Sequence, residues 1–220
     1  MAGVTMAGAC CPFGDINCQR TYSTTSAQFR TVAGMNDDHL NVCASAEWGA
    51  FLAGTIFPAV LDGVELGDDL LEIGSGPGLT TDLLKTRVAQ LTAVELDPAL
   101  AASLATRLDG SNVAVLNADA TDLPLPDDRF SGAVSFTMLH HVPTVERQDR
   151  IFAELARVVR PGGTAVLNDS LSSDALRDFH HDDVYNPIDP STLEARLALA
   201  GFGDADITVN EFAFWVHALV

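Results

Sequence analysis

Positive charge is scarce in this chain: 12 Lys and Arg stand against 30 Asp and Glu, for a formal net charge of -18. No cluster of basic residues interrupts the excess of acid. A nucleic-acid partner is therefore not expected, because binding a polyanion requires a basic surface. No apolar run is long enough to span a bilayer, and the N-terminus lacks the basic start and compact apolar core of a signal peptide. These absences predict a cytoplasmic protein without a membrane partner, acting on a small molecule as a monomer or homodimer. Cysteine is sparse too, with three of four, Cys10, Cys11 and Cys18, inside the first 34 residues. Their Cys-Cys-x6-Cys spacing lacks the paired Cys-x2-Cys of a zinc motif and has no neighbouring His to complete four ligands. No metal site is expected there.

With 220 residues, of which 47% are hydrophobic, the chain can bury a sizeable single core. Residues 1–34 are rich in Gly, Ser, Thr and Ala and show no helical or strand period, so they are predicted to be a poorly ordered extension. The domain is placed at 35–220. From Asn36 to Asp62 the pattern turns helical, with Ala46, Trp48, Phe51, Leu52, Ile56 and Phe57 on one face until Pro58 interrupts it. Trp48 reads as a core anchor.

The most informative stretch is Leu70-Leu71-Glu72-Ile73-Gly74-Ser75-Gly76-Pro77-Gly78-Leu79. An apolar run that meets three glycines at alternate positions and resumes as a helix is the end of a buried parallel strand turning into a helix N-terminus, where α/β sheets bind nucleotides. The third glycine comes one place earlier than in the Gly-x-Gly-x-x-Gly dinucleotide fingerprint. The carboxylate of Glu72 before the loop repels a pyrophosphate and attracts a ligand carrying an ammonium and a sulfonium. Gln90–Glu95 reads as the second strand, ending in an acid 17 residues past Gly78. A carboxylate there can accept from both hydroxyls of a ribose. Asp97-Pro98 then caps a helix running to Leu108.

On these residues the chain resembles the class I S-adenosylmethionine-dependent methyltransferases, whose first motif is Glu/Asp-x-Gly-x-Gly-x-Gly. Further marks are Asp119 after the third strand (Val113–Asn117), the loop Leu123-Pro124-Leu125-Pro126-Asp127-Asp128-Arg129-Phe130, and Arg160-Pro161-Gly162-Gly163 before a fifth strand. The resemblance implies an α/β, Rossmann-like fold with a seven-stranded mixed sheet in the order 3-2-1-4-5-7-6 and helices on both faces. Two late β-like runs, 205–209 and 212–220, would form its closing antiparallel pair. It also implies S-adenosyl-L-methionine as co-substrate. Glu72, Gly74, Gly76 and Gly78 would lie at the methionine end, Glu95 and Leu96 at the ribose, Asp119 and Ala120 at the adenine, and Phe136 beside the site at the end of the fourth strand.

His140 and His141 follow that fourth strand, and either is a candidate base for an oxygen or nitrogen nucleophile on a small-molecule acceptor, against a purely structural hydrogen-bonding role. Asp178-Phe179-His180-His181-Asp182-Asp183 concentrates metal-ligand types. Adjacent side chains diverge on a regular backbone, so this stretch reads as a solvated helix or a lid and no metal is assigned. A non-catalytic module of the same fold, or an NAD-dependent oxidoreductase, are the competing readings. The second leaves Arg160-Pro161-Gly162-Gly163 and the terminal hairpin unexplained.

Overall fold

The computed structural model describes residues 35–220. The expectations for residues 1–34, including the cysteine reading, lie outside them. Seven strands form one sheet: β1 (Asp69–Ile73), β2 (Gln90–Glu95), β3 (Val113–Asn117), β4 (Phe130–Phe136), β5 (Val159–Ser170), β6 (Ala205–Val209) and β7 (Ala213–Leu219). Their spatial order is β3-β2-β1-β4-β5-β7-β6, as the resemblance implied. The first five pair in parallel, and β7 pairs antiparallel with both β5 and β6.

Alternation along the strands divides the core between the two faces of the sheet. Leu71 and Ile73 of β1 join Phe214, Val216 and Ala218 of β7 in one apolar cluster. Leu70 faces the other way, into a second cluster with Phe57, Val60, Leu84 and Phe136. The first face is covered by α6 (Val145–Val158), which packs Ile151, Phe152, Leu155 and Val158, and by α8 (Leu193–Ala200), which packs Leu193 and Leu197. Every residue of β4 is buried, as a central parallel strand covered on both faces requires.

The helical segment before β1 differs from the sequence reading at Pro58. It begins with α1 (Asp37–Cys43), capped by Asn36, and continues as α2 (Ala46–Phe51), a π-helical turn (Leu52–Ile56) and α3 (Phe57–Leu61). Pro58 sits at the start of α3 and does not break the path, because the widened turn before it has already shifted the hydrogen-bonding frame, with the Phe57 amide donating to the Leu52 carbonyl. A residue without an N–H is tolerated in the first turn of a helix, where its amide would have no helical partner. Among the described residues, no single helix is long and apolar enough to cross a membrane. The remaining α-helices are α4 (Leu79–Leu84), α5 (Pro98–Arg107), capped by Asp97, and the short α7 (Asp174–Phe179).

Gly163 lies where β5 crosses closest to β4. A Cβ there would stand 2.6 Å from Val159 Cγ1 and 2.7 Å from the Ser131 carbonyl oxygen. Gly163→Ala is expected to destabilise the domain by roughly 1–3 kcal/mol through overpacking. Gly54→Ala, whose added methyl meets nothing within 4 Å, is expected to be neutral or slightly stabilising. Urea unfolding of both variants checks the contrast.

Candidate active site

The parallel strands end in a row, and the topological reversal between β1 and β4 opens the crevice at which such sheets take ligands. The glycine loop after β1 forms one wall. Gly74 has φ +72°, and a Cβ there would fall 2.1 Å from Cγ of Met138, which follows β4. Only glycine lets the ends of these two strands close together. Gly76 also has a positive φ, +52°, but a Cβ there would meet nothing within 4 Å, so its backbone borders open space. The neighbouring Ser75 hydroxyl is buried without a partner. Across from the loop, Thr137 holds φ +48°, a strained value for a β-branched residue of the kind found at ligand sites.

Two carboxylates flank the loop in contrasting surroundings. Glu72 lies on the Leu70 face of β1, beneath α4, where its carboxylate accepts from the Thr80 hydroxyl and, at 2.6 Å, from the Thr81 hydroxyl. Burial pushes its pKa up to about 7, against the two hydroxyls, which favour the ionised form. Both oxygens are thus engaged within the protein. Glu95, at the end of β2, accepts from the Gly76 amide at 2.7 Å and the Asp97 amide at 2.8 Å. Burial raises its pKa as well, opposed by those amides. It therefore joins the second strand to the glycine loop. Next to it Leu96 is 51% exposed, an apolar side chain left uncovered at the strand end.

Asp119 is half-exposed and receives the Thr121 amide at 2.9 Å and the Arg147 guanidinium at 2.6 Å. Although partial burial opposes it, these donors hold the carboxyl below the usual range. Ala120 beside it is half-buried. The Phe136 ring is buried and stacked on Phe57, with centroids 4.8 Å apart.

His140 and His141 occupy a 3-10 turn (Leu139–His141) just after β4. The His140 amide and Nδ1 both bond Asp169 at the end of β5, at 2.9 and 2.5 Å. Both imidazoles face inward: the Nε2 atoms of His140 and His141 are buried and unpartnered. A base must present a nitrogen to its acceptor, and these nitrogens meet other imidazoles instead. His39 of α1 and His180, the residue closing α7, lie against them. Nothing in the sequence marked His39, a lone histidine in a polar helix start. His180 was visible only as part of an acidic run, from which the exposed His181 turns away.

Residues 71–167 match the family model described as a methyltransferase domain. An uncharacterized methyltransferase of Mycobacterium tuberculosis is 34% identical over 113 residues, which cover 50% of this chain and 56% of that protein. A probable S-adenosylmethionine-dependent methyltransferase of the same species is 33% identical over 100 residues, covering 46% of this chain and 35% of the relative. The chain thus spans about half, or a third, of the length of the relatives it matches. In fold it is similar to a SAM-dependent methyltransferase from Aquifex aeolicus, with a TM-score of 0.65 at 18% identity over 82% of this chain and 96% of that one.

The raised pKa of Glu72 makes a pH-dependent prediction. Folded Glu72 retains its proton up to about pH 7, whereas the unfolded carboxyl loses it near 4.5. Between those values the folded state holds the extra proton, so this group's contribution to stability falls as pH rises and levels off above 7. Glu72→Gln removes that slope. The stability of the variant relative to wild type should rise by roughly 2–3 kcal/mol from pH 5 to pH 8, measured by chemical denaturation at each pH.

Proposed function

We propose that this chain, whose residues 71–167 match the model of a methyltransferase domain, is a class I S-adenosylmethionine-dependent methyltransferase that transfers a methyl group from S-adenosyl-L-methionine to an oxygen or nitrogen of a small-molecule acceptor. The observation that carries this reading is the junction of Glu95 with the Gly76 amide at 2.7 Å, which sets a carboxylate, an open glycine backbone and an exposed Leu96 along one rim of the crevice.

These residues suit the group in three respects. The Glu95 carboxylate can exchange its backbone donors for the two ribose hydroxyls, which only an acceptor with two oxygens can take together. Leu96 offers an apolar surface to a heteroaromatic ring. The space beside Gly76 and the unpartnered Ser75 hydroxyl receive a polar tail without a side chain in the way. Asp119 and Ala120 would edge the adenine, with Arg147 fixing the Asp119 carboxylate. Glu72 acts from beneath as a buried acid whose ionisation a nearby cation favours.

The sulfonium supplies an activated methyl group with its own leaving group. What remains for the chain is to bind, to exclude water and to align the acceptor in line with the methyl carbon. The charge of -18 favours a small acceptor over a polyanion.

Calorimetric titration with S-adenosylmethionine, S-adenosylhomocysteine and NADH tests the reading. Micromolar binding of the first two and none of NADH is expected. Glu95→Ala should weaken the first two by roughly 2–3 kcal/mol, the scale of lost hydrogen bonds to a charged group. Binding of NADH alone would overturn the proposal in favour of an oxidoreductase. Cofactor binding without release of S-adenosylhomocysteine across oxygen and nitrogen acceptors would instead mark a non-catalytic module.

A further inference from the structure

Four imidazoles that are far apart in the chain meet at one point: His39 from α1, His140 and His141 from the turn after β4, and His180 from the end of α7. One ring nitrogen of each lies within 4.8 Å of the others. Ring centroids are 4.2 Å apart for His140 and His141, 4.5 Å for His39 and His180, and 4.7 Å for His39 and His141. We propose that this cluster is a four-histidine site for a divalent transition-metal ion of the zinc type, which ties α1, the turn after β4 and the α7 segment together.

The hydrogen bonds behind the rings carry the argument. Nδ1 of His180 is 2.6 Å from the Leu176 carbonyl, and Nδ1 of His140 is 2.5 Å from Asp169 Oδ1. Nδ1 of His39 is 3.1 Å from Asp183 Oδ2, and Nδ1 of His141 is 3.7 Å from Asp183 Oδ1. A carbonyl can only accept, so His180 carries its proton on Nδ1 and leaves a bare lone pair on Nε2. The carboxylates within hydrogen-bond distance impose the same tautomer on His140 and His39. Nε2 of His140, His141 and His180 is buried and unpartnered in each case. Buried lone pairs with no donor go unsatisfied, which is unfavourable. A cation at their centre satisfies all of them. Nδ1 held by a carboxylate or carbonyl while Nε2 faces a common point is how metal-ligating histidines are oriented.

Charge points the same way. The side chains of Asp169 and Asp183 are 0% and 2% exposed, and among the described residues their ion pairs are to imidazoles. A divalent ion balances two carboxylates and requires neutral imidazoles. Four nitrogens around zinc at 2.0–2.1 Å stand about 3.3–3.4 Å apart, so the widest pair here closes by about 1.5 Å at most, within reach of small side-chain rotations. Four protein ligands leave no open position, which marks a structural site. A side chain already joins the same segments, since Asn36 Nδ2 donates to the carbonyls of Phe179 and His181.

The site goes beyond methyl transfer and stands or falls independently of it. The test is titration of the chelator-stripped full-length protein with Co2+, followed by displacement with Zn2+. One Co2+ per chain with the intense visible bands of tetrahedral cobalt is expected, together with a rise in melting temperature on adding zinc. His39→Gln and His180→Gln should each weaken zinc binding at least 100-fold. Asp183→Asn, which removes a group orienting two ligands, should weaken it by about 10–100-fold. The triple variant Cys10→Ser, Cys11→Ser, Cys18→Ser should leave it unchanged. Failure of the wild-type protein to bind either ion would overturn the proposal. So would stoichiometric binding that survives both histidine substitutions but is lost with the cysteines. Because the wild-type titration and melting shift need no variant, a misfolded substitution cannot decide the outcome.

Discussion

A parallel sheet buried on both faces has almost nowhere to keep a polar group except the ends of its strands. β4 is buried from end to end, and β1 and β2 are buried beyond their first residues. The chemistry of this protein is therefore displaced to the edge where β1, β2, β4 and β5 finish. Glu95, the glycine loop, Thr137, the two histidines and Asp169 all gather there because the sheet's interior excludes them.

Glu72 is the exception that shows the cost. The pleat aims it at the α4 face, one residue before the edge, and it is kept there by two threonine hydroxyls from the helix that the glycine loop begins. A buried acid held by neutral donors ionises reluctantly, which is the physical source of its raised pKa. Glu95, one strand over and at the edge itself, accepts from backbone amides and borders open space. Two acids on neighbouring strands are thus held by different donors because one stands a residue short of its strand end and the other at it.

The same edge explains why the histidines could not be read from their spacing. His140 and His141 are adjacent, and adjacent side chains diverge on a strand or helix. A 3-10 turn after β4 brings both rings to one side. In the acidic run at 178–183, by contrast, neighbours do separate: His180 turns inward and His181 turns out. The partners that give His180 its meaning come from about 40 and 140 residues away in the chain, a distance no local pattern spans.

The sequence by itself determined the glycine loop and the cap at Asp97, because each depends on local requirements: freedom at positive φ, and a side chain that can take the first helical amides; the strand order came from the family resemblance, since pairing between strands is not a local property. The sequence also located Glu95 at a strand end, since strand length and the loop position are both local. The passage of the helix through Pro58 was decided by a π turn whose bonding frame is not visible in residue types. The engagement of Glu72 by threonines, the burial of the Phe136 ring on Phe57, and the meeting of four histidines were decided only by tertiary structure. All three are contacts between elements, and the energy that fixes them comes from burying those elements against one another.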